Sequence, residues 1–269
     1  MTTMPMTAVV IVTRDSHRYI NETIASIAHQ SLAPDITIAI DDFSTDGTPD
    51  ALASQGFSVQ CATSSSVDTT TRIAQNFQQG LRAAVAAGAD LVILGDHDDI
   101  WHRDRIQHQV AALEQQPEVA MLASDGYLID EHGAAVPGTI RSTFPIPTDF
   151  IDQPLRTQLA YALRHSLATG GASALRPAAM QDWSVPPGWL HDRWWSLAAL
   201  RARALSIDPT AVIDYRLSPG QQVGLERADQ HEPRRWTFRK VTNAGATAAK
   251  ASDLSRLLTR KVTPPRSTE

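Results

Sequence analysis

Three short apolar runs in the first hundred residues each end in acidic side chains, with helical patterns between them. Residues 8–12 run into Thr13-Arg14-Asp15, residues 36–40 into Asp41-Asp42, and residues 91–94 into Gly95-Asp96-His97-Asp98-Asp99. Runs rich in β-branched residues that alternate with segments of helical periodicity predict an α/β domain on a mainly parallel sheet. Ligands of such sheets sit beyond the carboxyl ends of the strands, so the three acidic loops share one binding edge. The last is the densest, with three carboxylates in four residues. Carboxylates packed so closely repel one another unless a cation, solvent or hydrogen-bond donors sit among them. Hard oxygen donors suit Mg²⁺ or Mn²⁺, with a substrate phosphate completing the shell. An Asp-x-Asp pair alone says little, because a chain this rich in Asp holds about one or two by chance. Its place directly after a strand gives it weight.

The remaining pattern fills in the domain. Ser16 is expected to cap a helix over residues 16–30, with Ile20, Ile24, Ile27 and Ala28 on its apolar face. Residues 48–54 read as a short helix, 57–62 as a third strand, and 70–87 as a helix closed by Gly88. Further on, an amphipathic helix (103–115) and a strand (119–122) precede a hairpin (125–138) and a helix (153–165). A flexible glycine stretch (169–172) leads to a helix that begins after Trp189-Leu190-His191-Asp192 and runs through Arg203, then to a last strand (212–216). There is no internal repeat and no strong break. The expectation is one domain over residues 1–224 with an extension over 225–269.

Charge and cysteine usage narrow the function. A net charge of -5 and a pI near 6.0 argue against a nucleic-acid partner. No apolar run is long enough to span a bilayer, and residues 1–7 lack the basic start and apolar centre of a signal peptide, so the expected location is the cytoplasm. The lone Cys61 precludes an internal disulfide and is expected to pack as a small core residue. Residues 225–269 carry ten Lys or Arg against five Asp or Glu, which leaves residues 1–224 at -10. Within that extension, Arg234-Arg235-Trp236-Thr237-Phe238-Arg239-Lys240 flanks two aromatics with cations. Two readings stay open: peripheral contact with an anionic membrane face, or a helix that packs Trp236 and Phe238 on the body.

The order of motifs resembles the family 2 glycosyltransferases of the GT-A fold, in particular the bacterial rhamnosyltransferase-like branch. The resemblance rests on Val9-Val10-Ile11-Val12-Thr13, Asp41-Asp42-Phe43-Ser44-Thr45-Asp46-Gly47-Thr48, Asn76-Phe77, Asp96-His97-Asp98-Asp99-Ile100-Trp101 and His191-Asp192-Arg193-Trp194-Trp195. A weaker match covers residues 215–224. The resemblance implies inverting transfer of a sugar from a dTDP-, UDP- or GDP-sugar to a hydroxyl of a cell-surface polysaccharide or lipid-linked acceptor, assisted by Mg²⁺ or Mn²⁺. It implies that Asp96 faces the ribose or diphosphate, that Asp98 ligates the metal and that Asp192 is the general base, the alternative for Asp192 being an N-cap of the helix over residues 193–203. Asp99 either assists the first two or caps the turn before Ile100. Asp42, and after it Asp41, would meet the nucleobase and ribose, since a carboxylate accepts an imide N–H. Alternatively, these two and Asp46 only make turns. Thr13 and Asp15 would line the same base pocket. Gly170 and Gly171 would pass close to the donor sugar, Trp101 would stack on a sugar ring, Arg216 would pair with the diphosphate, and His97 would be a pocket neighbour.

Three positions depart from the family's pattern. Ser218 stands where relatives carry a His that completes the metal shell, Gln221-Gln222 replaces an Asn, and Arg14 replaces an aromatic residue. The competing readings are a GT-A module that binds sugar nucleotides without turnover, kept open by Ser218, and a metal phosphohydrolase. The latter lacks ligands for a second metal. A sugar-nucleotide pyrophosphorylase would want a Gly-rich basic first loop, which residues 12–16 are not.

Overall fold

The computed structural model describes residues 4–180, 182–218, 225–227, 236–238 and 244–259. Its centre is β1 (Thr7–Thr13), buried along its whole length. A strand covered on both faces must be apolar at every position rather than at alternate ones, and Ala8-Val9-Val10-Ile11-Val12 supplies that. Parallel partners flank it: β2 (Ile36–Asp41) on one side and β4 (Leu91–Asp96) on the other, with β3 (Ser58–Cys61) beyond β2. The crossovers are α1 (Ile20–Ala28), α2 (Thr48–Ser54) and α3 (Thr69–Ala86). In register, Thr13 lies beside Asp41 and Val12 beside Asp96. Three strands therefore end at one level and deliver their acidic loops to one edge.

Beyond β4 the sheet becomes mixed. β5 (Ile100–Trp101), α4 (Arg105–Glu114), β6 (Met121–Asp130), β7 (Ala135–Thr139), α5 (Ile140–Thr143) and α6 (Leu155–Ala162) precede β8 (Ser173–Leu175), α7 (His191–Arg201) and β9 (Leu205–Leu217). Among the described residues the nine-stranded sheet runs β3-β2-β1-β4-β8-β6-β9-β5, with β7 on β6. β8 is antiparallel to both β4 and β6, whereas β6 and β9 are parallel. Alternate residues of each inner strand feed two cores. Val10, Val12, Ile40 and Leu94 meet Phe77 and Leu81 of α3 and Trp195 of α7. Val9, Ile11 and Ile93 meet Ile20, Ile24 and Ile27 of α1 and Ile106 and Val110 of α4.

Several expectations are corrected. Ser16 does not start α1: its hydroxyl bonds within residues 14–16 and its carbonyl accepts the amides of Tyr19 and Ile20, so the helix begins at Ile20. The expected glycine stretch is a buried 3₁₀ turn, Gly170–Ala172, that runs directly into β8. β5 and β8 have only two and three residues, too few to show a period. The last strand is longer than expected, because β9 spans 13 residues. Cys61 is exposed rather than packed in the core, since it lies on β3, the edge strand of the sheet.

In the C-terminal part, β10 (Leu225–Arg227) pairs antiparallel with β11 (Trp236–Phe238), so residues 236–238 are strand rather than helix. The flanking cations 234, 235, 239 and 240, and residues 219–224, lie outside the described residues. α8 (Ala244–Thr259) rests Leu254 and Leu257 against the first core. Among the described residues no helix is long and apolar enough to cross a membrane.

Gly80 sets how closely α3 approaches β1. A Cβ there would lie 2.4 Å from Val10 Cγ1 and 3.3 Å from Ile40 Cγ1. Alanine would raise helix propensity by about 1 kcal/mol, but β-branched Val10 cannot rotate away. Overpacking of this kind costs about 1–3 kcal/mol. Gly80→Ala is therefore expected to lower stability in urea denaturation, and an unchanged midpoint would show that the contact is slack.

Candidate active site

The loops that leave β1, β2 and β4 open onto one cavity of about 480 Å³, closed on its far side by residues 166–170 and the start of α7. Thr13, Asp15, Asp42, Asp96, Asp98 and Asp192 line it together, as do His97 and Ser218. Asp41, Asp99, Trp101, Gly171 and Arg216 are not among its lining residues.

Asp41 and Asp42 take separate tasks. Asp41 Oδ1 accepts from the Thr13 hydroxyl at 3.0 Å and the Ser44 hydroxyl at 2.6 Å, while Oδ2 accepts the Ser44 amide. It is spent on the turn. Asp42 Oδ2 accepts from Arg72 Nε at 2.7 Å and Arg14 Nη1 at 3.1 Å, whereas its buried Oδ1 has no partner among the described residues. That free lone pair beside a guanidinium can take an N–H of a planar base. Arg72 was not picked out from the sequence. Asp15 has a φ of 45° and accepts the Thr45 amide, which ties the β1 and β2 loops together.

The β4 loop concentrates negative charge. Burial first, and then the Asp98 charge, push the Asp96 carboxyl up to about 7 and raise Asp99 well above the usual carboxylate range. A Cβ built on Gly171 would lie 2.6 Å from Asp99 Oδ2 and 2.7 Å from Asp96 Oδ2. Glycine is thus required there, so that two carboxylates can close on the same backbone. Asp99 Oδ1 accepts the Arg216 amide at 3.1 Å, and its buried Oδ2 has no partner among the described residues.

The Asp96 and Asp98 carboxylates, which both line the cavity, offer hard oxygens that fit a divalent cation. No group of three His, Cys, Asp or Glu side chains among the described residues forms a ready cage. The fit is therefore to an ion that brings ligands of its own, as Mg²⁺ does when substrate phosphates complete its shell.

Two arginines brace the loop from within the protein. Arg216, 1% exposed, donates Nε to the Asp98 carbonyl at 2.8 Å and Nη2 to Glu22 Oε2 at 2.7 Å, and its guanidinium lies over the Tyr19 ring. It holds the backbone that carries Asp98 instead of facing the cavity. Arg105, also 1% exposed, donates Nη2 to the Leu94 carbonyl at 2.6 Å and stacks 3.7 Å above Trp101. Burial lowers its own pKa to about 9, against the pull of Asp99 and Asp96. Trp101 is packed in the core under Gly95, whose Cβ would lie 2.6 Å from the indole, so it is a floor and not a stacking platform.

Asp192 sits one residue inside α7 and is not its N-cap, which is Leu190. Its Oδ2 accepts the Gly170 amide at 3.1 Å and Oδ1 the Arg193 amide at 2.6 Å. Burial raises its carboxyl to about 6, with those amides pulling the other way.

The sequence profile described as Glycosyl transferase family 2 matches residues 8–180. No curated protein matches the chain. Among solved structures, a 1–349 fragment of TarS from S. aureus in complex with UDP is 17% identical, with a TM-score of 0.52 over 79% of this chain and 61% of that one. This chain therefore spans about three fifths of that fragment. Glucosyl-3-phosphoglycerate synthase from Mycobacterium tuberculosis, with Mn²⁺, UDP and phosphoglyceric acid, is 18% identical, with a TM-score of 0.54 over 80% of this chain and 72% of that one. The mannosyltransferase PcManGT from Pyrobaculum calidifontis, with GDP-Man and Mn²⁺, is 17% identical, with a TM-score of 0.50 over 82% and 59%. At these identities the likeness is one of fold, the GT-A architecture.

Removing the Arg105 cation takes its favourable field from the Asp99 and Asp96 carboxyls and the charged donor from the Leu94 carbonyl. A buried hydrogen bond from a charged group is worth about 1.5–3 kcal/mol, so Arg105→Met should lower the melting temperature. Arg105→Met combined with Asp99→Asn should recover part of the loss. Strict additivity of the two changes would remove Arg105 from this role.

Proposed function

Because the chain belongs to glycosyl transferase family 2, we propose that it moves a sugar from a nucleoside diphosphate donor to an acceptor hydroxyl with inversion, Asp192 serving as general base. The observation that carries this reading is the meeting of Asp42, Asp96, Asp98 and Asp192 in one cavity. Asp42 Oδ1, with Thr13 and Asp15 beside it, takes the base; Asp96 takes the ribose or diphosphate. A divalent cation, Mg²⁺ or Mn²⁺, would be held by Asp98 with Asp96 at its side, and would supply Lewis-acid stabilisation of charge on the leaving diphosphate. The Mn²⁺ recorded with two of the structural neighbours supports that choice. Asp41, Asp99, Trp101, Gly171 and Arg216 act by shaping and bracing the loops.

In the transfer step the acceptor oxygen bonds to the anomeric carbon as the bond to the diphosphate oxygen breaks. The hydroxyl proton passes to an oxygen of Asp192. The amides of Gly170 and Arg193 fix the orientation of that carboxylate. Burial makes it a stronger base than an exposed Asp.

The donors recorded with the structural neighbours, UDP-GlcNAc and GDP-Man, support a sugar nucleotide. The rhamnosyltransferase-like motif order makes dTDP-rhamnose the first donor to test, and a cell-surface polysaccharide or lipid-linked saccharide the acceptor. Residues 1–224 would carry this activity. The basic residues of 225–269 would hold the protein at the inner face of the cytoplasmic membrane. Flotation with anionic vesicles at low salt should carry the full chain upward, and a chain left at the bottom removes the membrane contact.

One experiment joins donor and base. Wild type and Asp192→Asn should show the same metal-dependent thermal shift with the preferred donor among UDP-, dTDP- and GDP-sugars, each with Mn²⁺, Mg²⁺ or EDTA. Transfer by the variant should fall by about 10²-fold or more, the contribution of a general base. The base must be deprotonated and its pKa is raised to about 6. Wild-type kcat/KM should accordingly be full above pH 7 and fall about tenfold per unit as pH drops below 6. Full turnover by Asp192→Asn ends the assignment. A thermal shift without turnover in wild type favours the non-catalytic binding module.

A further inference from the structure

The carboxylate side of the cavity is accounted for, but its opposite wall holds an unexplained polar pair. Asn76, on the second turn of α3, is fully buried, and neither its amide oxygen nor its nitrogen has a hydrogen-bond partner among the described residues. His191, the first residue of α7, is 4% exposed, and both its ring nitrogens are likewise unpaired. Buried polar groups in folded proteins are nearly always hydrogen-bonded, and each unpaired one costs about 1–3 kcal/mol. Four such atoms on two residues that line one cavity match a ligand that both donates and accepts.

The imidazole cannot turn away to find a partner. It stacks on Phe77 at 3.7 Å and 22°, and meets Trp195 edge-on at 5.3 Å. A Cβ on Gly170 would fall 2.5 Å from its Nε2, so the ring fits only because residue 170 is glycine. Burial depresses its pKa to about 3, which keeps it neutral, with one donor and one acceptor nitrogen. An Asn amide offers the same combination. Neutral mixed donors and acceptors suit hydroxyl groups, which also do both, and do not suit a phosphate, which seeks cations. The surrounding Ile73, Phe77, Ala168 and Leu190 give the apolar faces that the C–H surfaces of a sugar ring need.

Position selects which sugar. One turn before Asn76 on the same helix, Arg72 holds Asp42 at the base end of the cavity. On the other side His191 adjoins Asp192, whose carboxylate is anchored to the same Gly170. The pair therefore lies between the base end and Asp192.

We propose that Asn76 and His191 hydrogen-bond the hydroxyls of the transferred sugar and so determine which donor sugar is accepted. This rests on the glycosyltransferase reading above. A site built to bond a hydroxyl rejects an analogue without it, because its own polar atoms are then left unpaired.

The test compares each nucleotide sugar with its bare diphosphate: dTDP-rhamnose with dTDP, UDP-glucose and UDP-GlcNAc with UDP, and GDP-mannose with GDP. Titration calorimetry is run with Mn²⁺ on wild type, His191→Phe and Asn76→Leu, which keep apolar volume and remove the polar atoms. For the donor that wild type prefers, the sugar should tighten binding over the diphosphate. Each variant should lose at least fivefold of that increment, hold the diphosphate within twofold, and melt no lower than wild type. An increment kept in both variants, or in whichever of them folds, overturns the proposal while leaving the glycosyltransferase reading intact. Failure of every diphosphate to bind wild type overturns both.

Discussion

Desolvation of the acidic turn after β4 is the cost around which this end of the sheet is built. Asp98 and Asp99 are buried and Asp96 lines the cavity beside them, where each carboxylate raises the free energy of ionising the next. Protein groups on every side answer that charge. Arg105 approaches from beneath through the Leu94 carbonyl and the Trp101 ring. Arg216 clamps the Asp98 carbonyl and the Asp99 side chain from the end of β9. Gly95 admits Trp101, and Gly171 admits the two carboxylates. Each of these residues comes from a different element, so the cluster stands only when β4, α4, the 3₁₀ turn and β9 are assembled.

The cavity above that cluster divides by charge type. At Asp42 it pairs a carboxylate with two guanidiniums, its centre is acidic, and its far side sets neutral His191 and apolar residues beside the Asp192 carboxyl. The proposed donor, a nucleoside diphosphate sugar, varies along its length in a way that would match: a planar base with N–H donors, an anionic diphosphate that needs a cation, and an uncharged polyhydroxylated ring. α3 links the ends, since Arg72 and Asn76 lie one helical turn apart on the face toward the cavity.

Legibility in the sequence followed length and regularity. α2 and α3 and strands β1, β2 and β4 have patterns long enough to read, and their carboxyl ends named Asp42, Asp96 and Asp98. The two-residue β5 and three-residue β8 leave no period, yet β8 turns the parallel half of the sheet into the mixed half. The cationic braces were hidden for another reason. Arg72 and Arg105 sit in amphipathic helical patterns where a cation reads as a solvated face, and nothing local shows that Arg105 is buried. Asn76 and His191 were seen only as parts of motifs, because an unpaired polar atom is a property of surroundings and not of spacing.

By itself the sequence determined the α/β class, the ends of three parallel strands as the binding edge, and the oxygen-rich chemistry of the loop at residues 95–99. Those features follow from local periodicity and from residue types next to one another in the chain. Only the tertiary structure decided that Asp41 serves its turn while Asp42 faces the cavity, that Trp101 and Arg216 support the site from behind it, and that Asp192 meets a cavity formed nearly a hundred residues earlier. Burial, pairing and the pKa of a carboxylate depend on what long-range packing brings against it, and that information is distributed over elements far apart in sequence.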